Sequence, residues 1–289
     1  MPAEVGGAGT RQKAVAVKDA QTIREEDLLI SGRTLRVYRG GAGPGILLLH
    51  SAWGDAAMSW SGIWEELAMS FTVLAPDIPG FGLSGQLPAP TLSLMAKTLG
   101  ELLKELKPGK MTVVGNSFGG AVARQFASEF PESVSRLVLV NGGHIPHMPF
   151  PVRKILAVPF LERRFRRLMS RFSFSPQALE KSFVNPASLP PAFFEGIQRS
   201  APEYSRIVFD TFMNITKPLP VPSAPTFLIW GAQDGLTPLS QAKAIRKKIQ
   251  GSVLISIEGA GHMPQVERPR EFLMALRSAG GNPFTRDHP

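Results

Sequence analysis

Hydrophobic positions along most of this chain alternate between two rhythms. Apolar runs of strand length occur at 46–49, 72–75, 113–114, 137–140 and 253–257, rich in Val, Ile and Leu, as expected of strands buried on both faces. Between them the period lengthens. Leu92, Met95, Leu99, Leu102, Leu103 and Leu106 recur every three to four residues and predict a helix over 92–107 lying on a sheet. Further helices are expected near 60–69, after Gly120 and over 238–250. The segments 28–30 and 34–38 read as a hairpin turning at Ser31-Gly32. Strands alternating with helices predict a mostly parallel sheet.

From His144 to Pro222 this alternation stops. The segment carries 10 of the 18 phenylalanines and 11 Lys+Arg against 5 Asp+Glu, so +6 of the chain's +9 lies here. It reads as a separate insert. Within it Leu161, Phe165, Leu168 and Phe172 recur at helical spacing, with Arg163, Arg164, Arg166, Arg167 and Arg171 at the other positions. That makes a basic amphipathic helix, suited to a solvated outer face or to weak peripheral contact with an anionic membrane. Nucleic acid is not an expected partner, because no exposed aromatics interleave with these arginines in a recognisable module.

Composition narrows the class. A chain of 289 residues, 43% hydrophobic, is large enough to bury a core without dividing into independent domains. No apolar stretch approaches a membrane span, and residues 1–22 lack the apolar run of a secretion signal and read as a disordered leader, with 281–289 as a tail. There is no cysteine, so disulfides and thiolate chemistry are excluded and the compartment is assigned to the cytoplasm by default.

The chemistry concentrates on Ser117. It lies in Gly115-Asn116-Ser117-Phe118-Gly119-Gly120, a G-x-S-x-G between a β-branched strand and an Ala-rich helix, which is the context that holds a serine out of a tight turn. The flanking glycines are expected to clear the neighbouring strand and helix. A serine needs a base, and the base an orienting acid. Asp234 follows the apolar run ending at Trp230 and Gly231, and His262 follows the strand 253–257, giving the order Ser, Asp, His. Asp77, in Asp-Ile-Pro-Gly-Phe-Gly, reads instead as a turn carboxylate capping backbone N–H groups. His50 is assigned an orienting role, and His288 belongs to the polar tail.

With these motifs the chain resembles the α/β-hydrolase family over roughly 23–279. Leu47-Leu48-Leu49-His50-Ser51-Ala52-Trp53 is similar to the family's oxyanion loop, and Asp77-Ile78-Pro79-Gly80-Phe81-Gly82-Leu83-Ser84 to its D-x-P-G-x-G-x-S turn. The resemblance implies a mostly parallel sheet of about eight strands flanked by helices, with a helical cap after strand 6. The core would then be 23–143 and 223–280, and the cap 144–222. It implies Ser117 as nucleophile, His262 as base and Asp234 as acid, with the Ala52 and Phe118 N–H groups as oxyanion donors and no metal or organic cofactor. One departure is Ser51, where the family usually has Gly. The cap would supply the acyl pocket, with Trp53, His144, Phe150, Phe160 and Met263 as substrate-binding candidates, and Phe165, Phe172 and Phe174 as further wall residues.

The expected activity is hydrolysis of a small to medium apolar carboxylic ester or lactone. Two alternatives stand beside it. The elbow Gly-Asn-Ser-Phe-Gly-Gly also resembles that of the meta-cleavage-product hydrolases, which split a carbon-carbon bond, although Met263 stands where those enzymes usually carry Trp. A ligand-binding receptor built on the same fold is the alternative from another class. Oligomeric state is not legible.

Overall fold

The computed structural model describes residues 22–147 and 149–279. The tail 281–289 and all but the last residue of the leader 1–22 lie outside the described residues.

Eight strands form one sheet: β1 (Arg24–Ile30), β2 (Arg33–Gly40), β3 (Gly45–Leu49), β4 (Thr72–Pro76), β5 (Met111–Asn116), β6 (Val134–Val140), β7 (Thr226–Gly231) and β8 (Val253–Ile257). Their order is β1-β2-β4-β3-β5-β6-β7-β8. β1 and β2 form the expected hairpin, with Ile30 opposite Arg33, and β2 pairs antiparallel with β4. All later pairings are parallel. The apolar runs read from the sequence are all strands, and every residue of β3 is buried, but the run 253–257 is the edge strand β8, where only Ile257 is buried because no strand covers its outer side.

Period-two alternation divides each central strand between two cores. Leu47 and Leu49 of β3, with Val113 and Leu139, face one side, while Ile46, Leu48, Val114 and Val138 face the other. The second side is covered by α1 (Ala56–Ala68) through Trp60 and Ile63. The first is covered by α2 (Leu92–Leu106) and α3 (Phe118–Glu129). In α2 the residues singled out by periodicity, Leu92, Met95, Leu99, Leu102 and Leu103, are buried. Its start is fixed by the Thr91 hydroxyl, which accepts the Leu94 N–H at 3.1 Å, and its end by Lys107 in the left-handed region at φ 49°.

Between β6 and β7 the chain leaves the sheet for four helices, α4 (Phe150–Leu156), α5 (Pro159–Phe174), α6 (Pro176–Ser182) and α7 (Pro191–Met213). α5 packs on α7, where Phe165 lies against Phe209 with ring centroids 6.0 Å apart. The insert is tied to the loops that follow the sheet's carboxyl ends. The Trp53 indole N–H donates to the Ser173 carbonyl at 2.7 Å, the Gly82 N–H to the Tyr204 hydroxyl at 2.8 Å, and the His262 N–H to the Ser182 carbonyl at 2.7 Å. It therefore sits over the side of the sheet where open α/β folds place their ligands. The chain closes with α8 (Leu239–Lys248), α9 (Pro264–Glu267) and α10 (Pro269–Ala279), whose Phe272 and Leu276 complete the second core.

Candidate active site

Ser117 occupies the turn between β5 and α3 at φ 54° and ψ −115°, a conformation that costs a non-glycine residue of order 1–3 kcal/mol and persists only where surroundings enforce it. The glycines enforce it. A methyl on Gly115 would run into the Gly119 carbonyl, and one on Gly119 into the His50 carbonyl. Close approach of β5, α3 and the loop after β3 is thus possible only with hydrogen at these two positions. The Ser117 N–H donates to the Val140 carbonyl at 2.8 Å and its carbonyl accepts the Gly120 N–H at 3.0 Å, so the strained residue is held from both sides.

His262 Nε2 lies 2.8 Å from Ser117 Oγ, and His262 Nδ1 lies 2.8 Å from Asp234 Oδ2. The structure brings together the three residues that sequence order selected. An ionised carboxylate only accepts, so it fixes a proton on Nδ1 and leaves Nε2 free to accept the Ser117 hydroxyl. His262 and Asp234 are both buried. Burial alone would raise the Asp234 carboxyl, but the His262 imidazole and the Thr237 hydroxyl and N–H outweigh it and hold the group below the ordinary carboxylate value.

The Asp234 carboxylate is fully engaged. Oδ1 accepts the N–H groups of Leu236 at 2.8 Å and Thr237 at 2.9 Å, and Oδ2 accepts from the Asn141 side-chain amide at 2.6 Å and from the Thr237 hydroxyl. Asn141 itself is held in the left-handed region, at φ 44°, with its Oδ1 accepting the Gly231 N–H at 2.9 Å. Asn116, directly before Ser117, donates to the His262 carbonyl at 3.1 Å and ties the Ser117 turn to the loop that carries His262. Sequence reasoning missed Asn141, Thr237 and this role of Asn116. Thr237 lies three residues beyond the acid, within reach of a hydroxyl-to-carboxylate bond, and that short spacing was the available signal. Asn141 comes from a different strand end, and nothing local pointed to it.

Ser51 explains its own departure from the glycine pattern. Its hydroxyl accepts the Trp53 N–H at 3.2 Å, closing a side-chain turn that shapes the loop. His50 is buried and orients, as expected: Nδ1 donates to the Ser51 carbonyl at 2.7 Å and Nε2 accepts the Ile78 N–H at 2.8 Å. Burial lowers its pKa, and the N–H donated by Ile78 requires an unprotonated Nε2. Asp77 is the turn carboxylate that the sequence suggested, accepting the N–H groups of Ala56 and Leu83, each at 2.9 Å.

Of the substrate-binding candidates, Trp53 stands at the site, its ring centroid 4.7 Å from that of His262 and 5.7 Å from that of Phe183. Phe183 in turn meets Phe193 and Phe194 edge-on. Phe183 thus carries the ring contact to Trp53, with Phe193 and Phe194 packed on Phe183, and no local pattern in the sequence marked these three. Phe150 and Phe160 are not brought to Ser117. They are 64% and 57% exposed, with Lys154 and Arg164 over their rings, because α4 and the start of α5 face outward. Met263 is wholly buried in the core. His144 is exposed and lines a cavity of about 620 Å³ with Phe172, Ser173, Leu236 and Thr237. That cavity reaches the site from the Thr237 side, and Ser117 is not among its lining residues.

An uncharacterised protein of Mycobacterium tuberculosis is 29% identical to this chain over 278 residues, covering 83% of the chain and 78% of that protein. The 2-hydroxymuconate semialdehyde hydrolase of a Pseudomonas strain is 27% identical over 259 residues, covering 85% and 90%. Among solved structures, a thermophilic esterase from Thermogutta terrifontis superposes with a TM-score of 0.71 at 26% identity, covering 88% of this chain and 97% of that one. A family model described as the alpha/beta hydrolase fold matches residues 45–269. With that match over most of its length and the eight-stranded sheet in place, the chain belongs to the alpha/beta hydrolase family.

Proposed function

We propose that the protein is a serine hydrolase that cleaves a carboxylic ester or lactone of small to medium, apolar substrates through an acyl-enzyme. The carrying observation is the continuous relay from Asp234 through His262 to Ser117, with both contacts at 2.8 Å. His262 Nε2 takes the hydroxyl proton as Ser117 Oγ attacks the carbonyl carbon, and Asp234 stabilises the imidazolium. The Phe118 N–H, in the first turn of α3 and so without an intrahelical acceptor, and the Ala52 N–H are the donors for the oxyanion. Each such donor is worth about 2.7–4 kcal/mol of barrier. Collapse breaks the carbonyl-carbon to alkoxy-oxygen bond, and the alcohol leaves with the proton from His262. Water, deprotonated by the same imidazole, then releases the acid.

The insert acts as the cap, with Trp53, Phe183, Phe193 and Phe194 forming an uncharged aromatic wall suited to an apolar acyl or alcohol part. A second reading, carbon-carbon bond hydrolysis, is supported by the 27% identity to 2-hydroxymuconate semialdehyde hydrolase. The uncharged wall favours the ester over a vinylogous diketo acid. Hydrolysis of p-nitrophenyl esters of increasing chain length, by wild type and Ser117→Ala, tests the proposal. Multiple turnovers abolished by that one change support it. A wild type inert on every ester but active on a vinylogous diketo acid supports the second reading, and stoichiometric ligand modification without turnover supports a receptor.

A further inference from the structure

Seven of the fourteen large apolar side chains that the described residues leave exposed lie between residues 150 and 172. The sequence pattern placed Leu161, Phe165, Leu168 and Phe172 of α5 on one inward stripe, but the structure splits them. Leu161 and Phe165 are half-buried, whereas Leu168 and Phe172 are each 63% exposed and share the outer face with Phe160. Arg163, Arg164, Arg167 and Arg171 occupy the same face. Its one acidic neighbour on the helix, Glu162, is half-buried and lies 3.9 Å from Arg166. A merely solvated lid would have no physical reason to present Phe160, Leu168 and Phe172 to water, and apolar groups rimmed by charge mark an interaction surface.

We infer that the outer face of α4 and α5 docks on an anionic phospholipid bilayer. The charge fits: four arginines reach lipid phosphates while the three apolar side chains enter the headgroup and acyl boundary. A second copy of the chain does not fit, since a two-fold contact would set four arginines against four arginines with no acid between them. Between α4 and α5 runs a groove of about 610 Å³, lined by Leu156 and Leu161 and rimmed by Arg164, Arg167 and Arg171, which suits an acyl chain beneath an anionic headgroup. The attachment is peripheral, as no helix among the described residues is long and apolar enough to cross a membrane. The carbonyl that holds Trp53 belongs to Ser173 in the last turn of α5, so the docked face lies one helix end from the Ser117 site.

The inference stands apart from the hydrolytic reading, because binding is measured without turnover. The full chain is floated with vesicles of phosphatidylglycerol and phosphatidylcholine, or of phosphatidylcholine alone, at low and high salt. Binding to the anionic vesicles that weakens with salt is expected, falling on the order of tenfold or more in R164Q/R167Q. F160S/L168S should also weaken it, while both variants retain the wild-type circular dichroism and unfolding midpoint as a sign of intact folding. No flotation at low salt overturns the inference, as does binding unaffected by either double variant. Duplex DNA binding as tight as vesicle binding, with F160S/L168S unchanged on vesicles, would make the face a general polyanion patch and overturn it too.

Discussion

The helices α3 and α5 are built to opposite plans. In α3, nine of twelve residues are buried, with Ala121, Val122 and Ala123 in the core on one side of the sheet, while in α5 only Phe174 of sixteen is buried. One is enclosed between α2 and the strands, the other packs chiefly on its neighbouring helices α4, α6 and α7. The core region fixes atoms: Ser117, Asp234 and His262 are each held by backbone and side-chain bonds from at least two elements. The insert presents surfaces, aromatic within and basic and apolar without. The proposed function divides accordingly, with the proposed chemistry in the tightly bonded core and the proposed substrate handling in the insert.

If that division holds, changes in the core should cost rate or stability, and changes in the insert should cost binding. The largest effect is expected from Asp234→Asn, which leaves the shape but removes the charge that fixes the His262 tautomer; ester kcat should fall about 10⁴-fold. The same substitution reports on pH. Burial raises the Asp234 carboxyl, but His262 and Thr237 more than reverse this and hold it below its ordinary 3.8. The ionised form is thus favoured by folding. Its stabilisation is complete above the unfolded value and is lost as pH falls through the depressed one. Asp234→Asn should therefore flatten the loss of stability below about pH 4, read from denaturation midpoints.

Next in size is Gly115→Ala. Its methyl meets backbone rather than a movable side chain, so a loss of about 3 kcal/mol in urea unfolding is expected, with residual activity at saturating substrate reduced as the elbow shifts. A neutral result would show the core to be more yielding than described. Thr237→Val removes one hydroxyl from Asp234 and should lower kcat about tenfold with KM little changed, as expected for a hydrogen bond to a charged group. The smallest effect is expected from Trp53→Phe, which keeps a ring near His262 but loses the bond to Ser173. KM should rise about fivefold, equivalent to one neutral hydrogen bond, with kcat changing less. A kcat loss exceeding that of Thr237→Val would break the comparison, since Trp53, the residue that the insert holds through Ser173, would then bear on rate rather than on binding.

Much of the core was legible because its signals are local. Strand runs at 46–49 and 253–257, the helix of Leu92 to Leu106, the hairpin at Ser31-Gly32 and the glycines around Ser117 each report a constraint met within a few residues. The insert was legible only in outline. Its place between two strand runs and its basic charge could be read, yet Phe150 and Phe160 were expected in the wall and Phe183, Phe193 and Phe194 were passed over, since ten phenylalanines in one segment carry no label for which face each will take.

The sequence alone determined the strand and helix alternation, the position of the tight turn and the order of Ser117, Asp234 and His262, because periodicity and turn sterics act over short separations along the chain. Only the tertiary structure decided the rest. Asn141 and Thr237 converge on Asp234, Trp53 lies over His262 beneath Phe183, and Phe160, Leu168 and Phe172 remain outside. Each of these depends on which strand ends become neighbours in the sheet and on which side of an amphipathic helix finds a partner, and both are settled by packing between segments far apart in the chain.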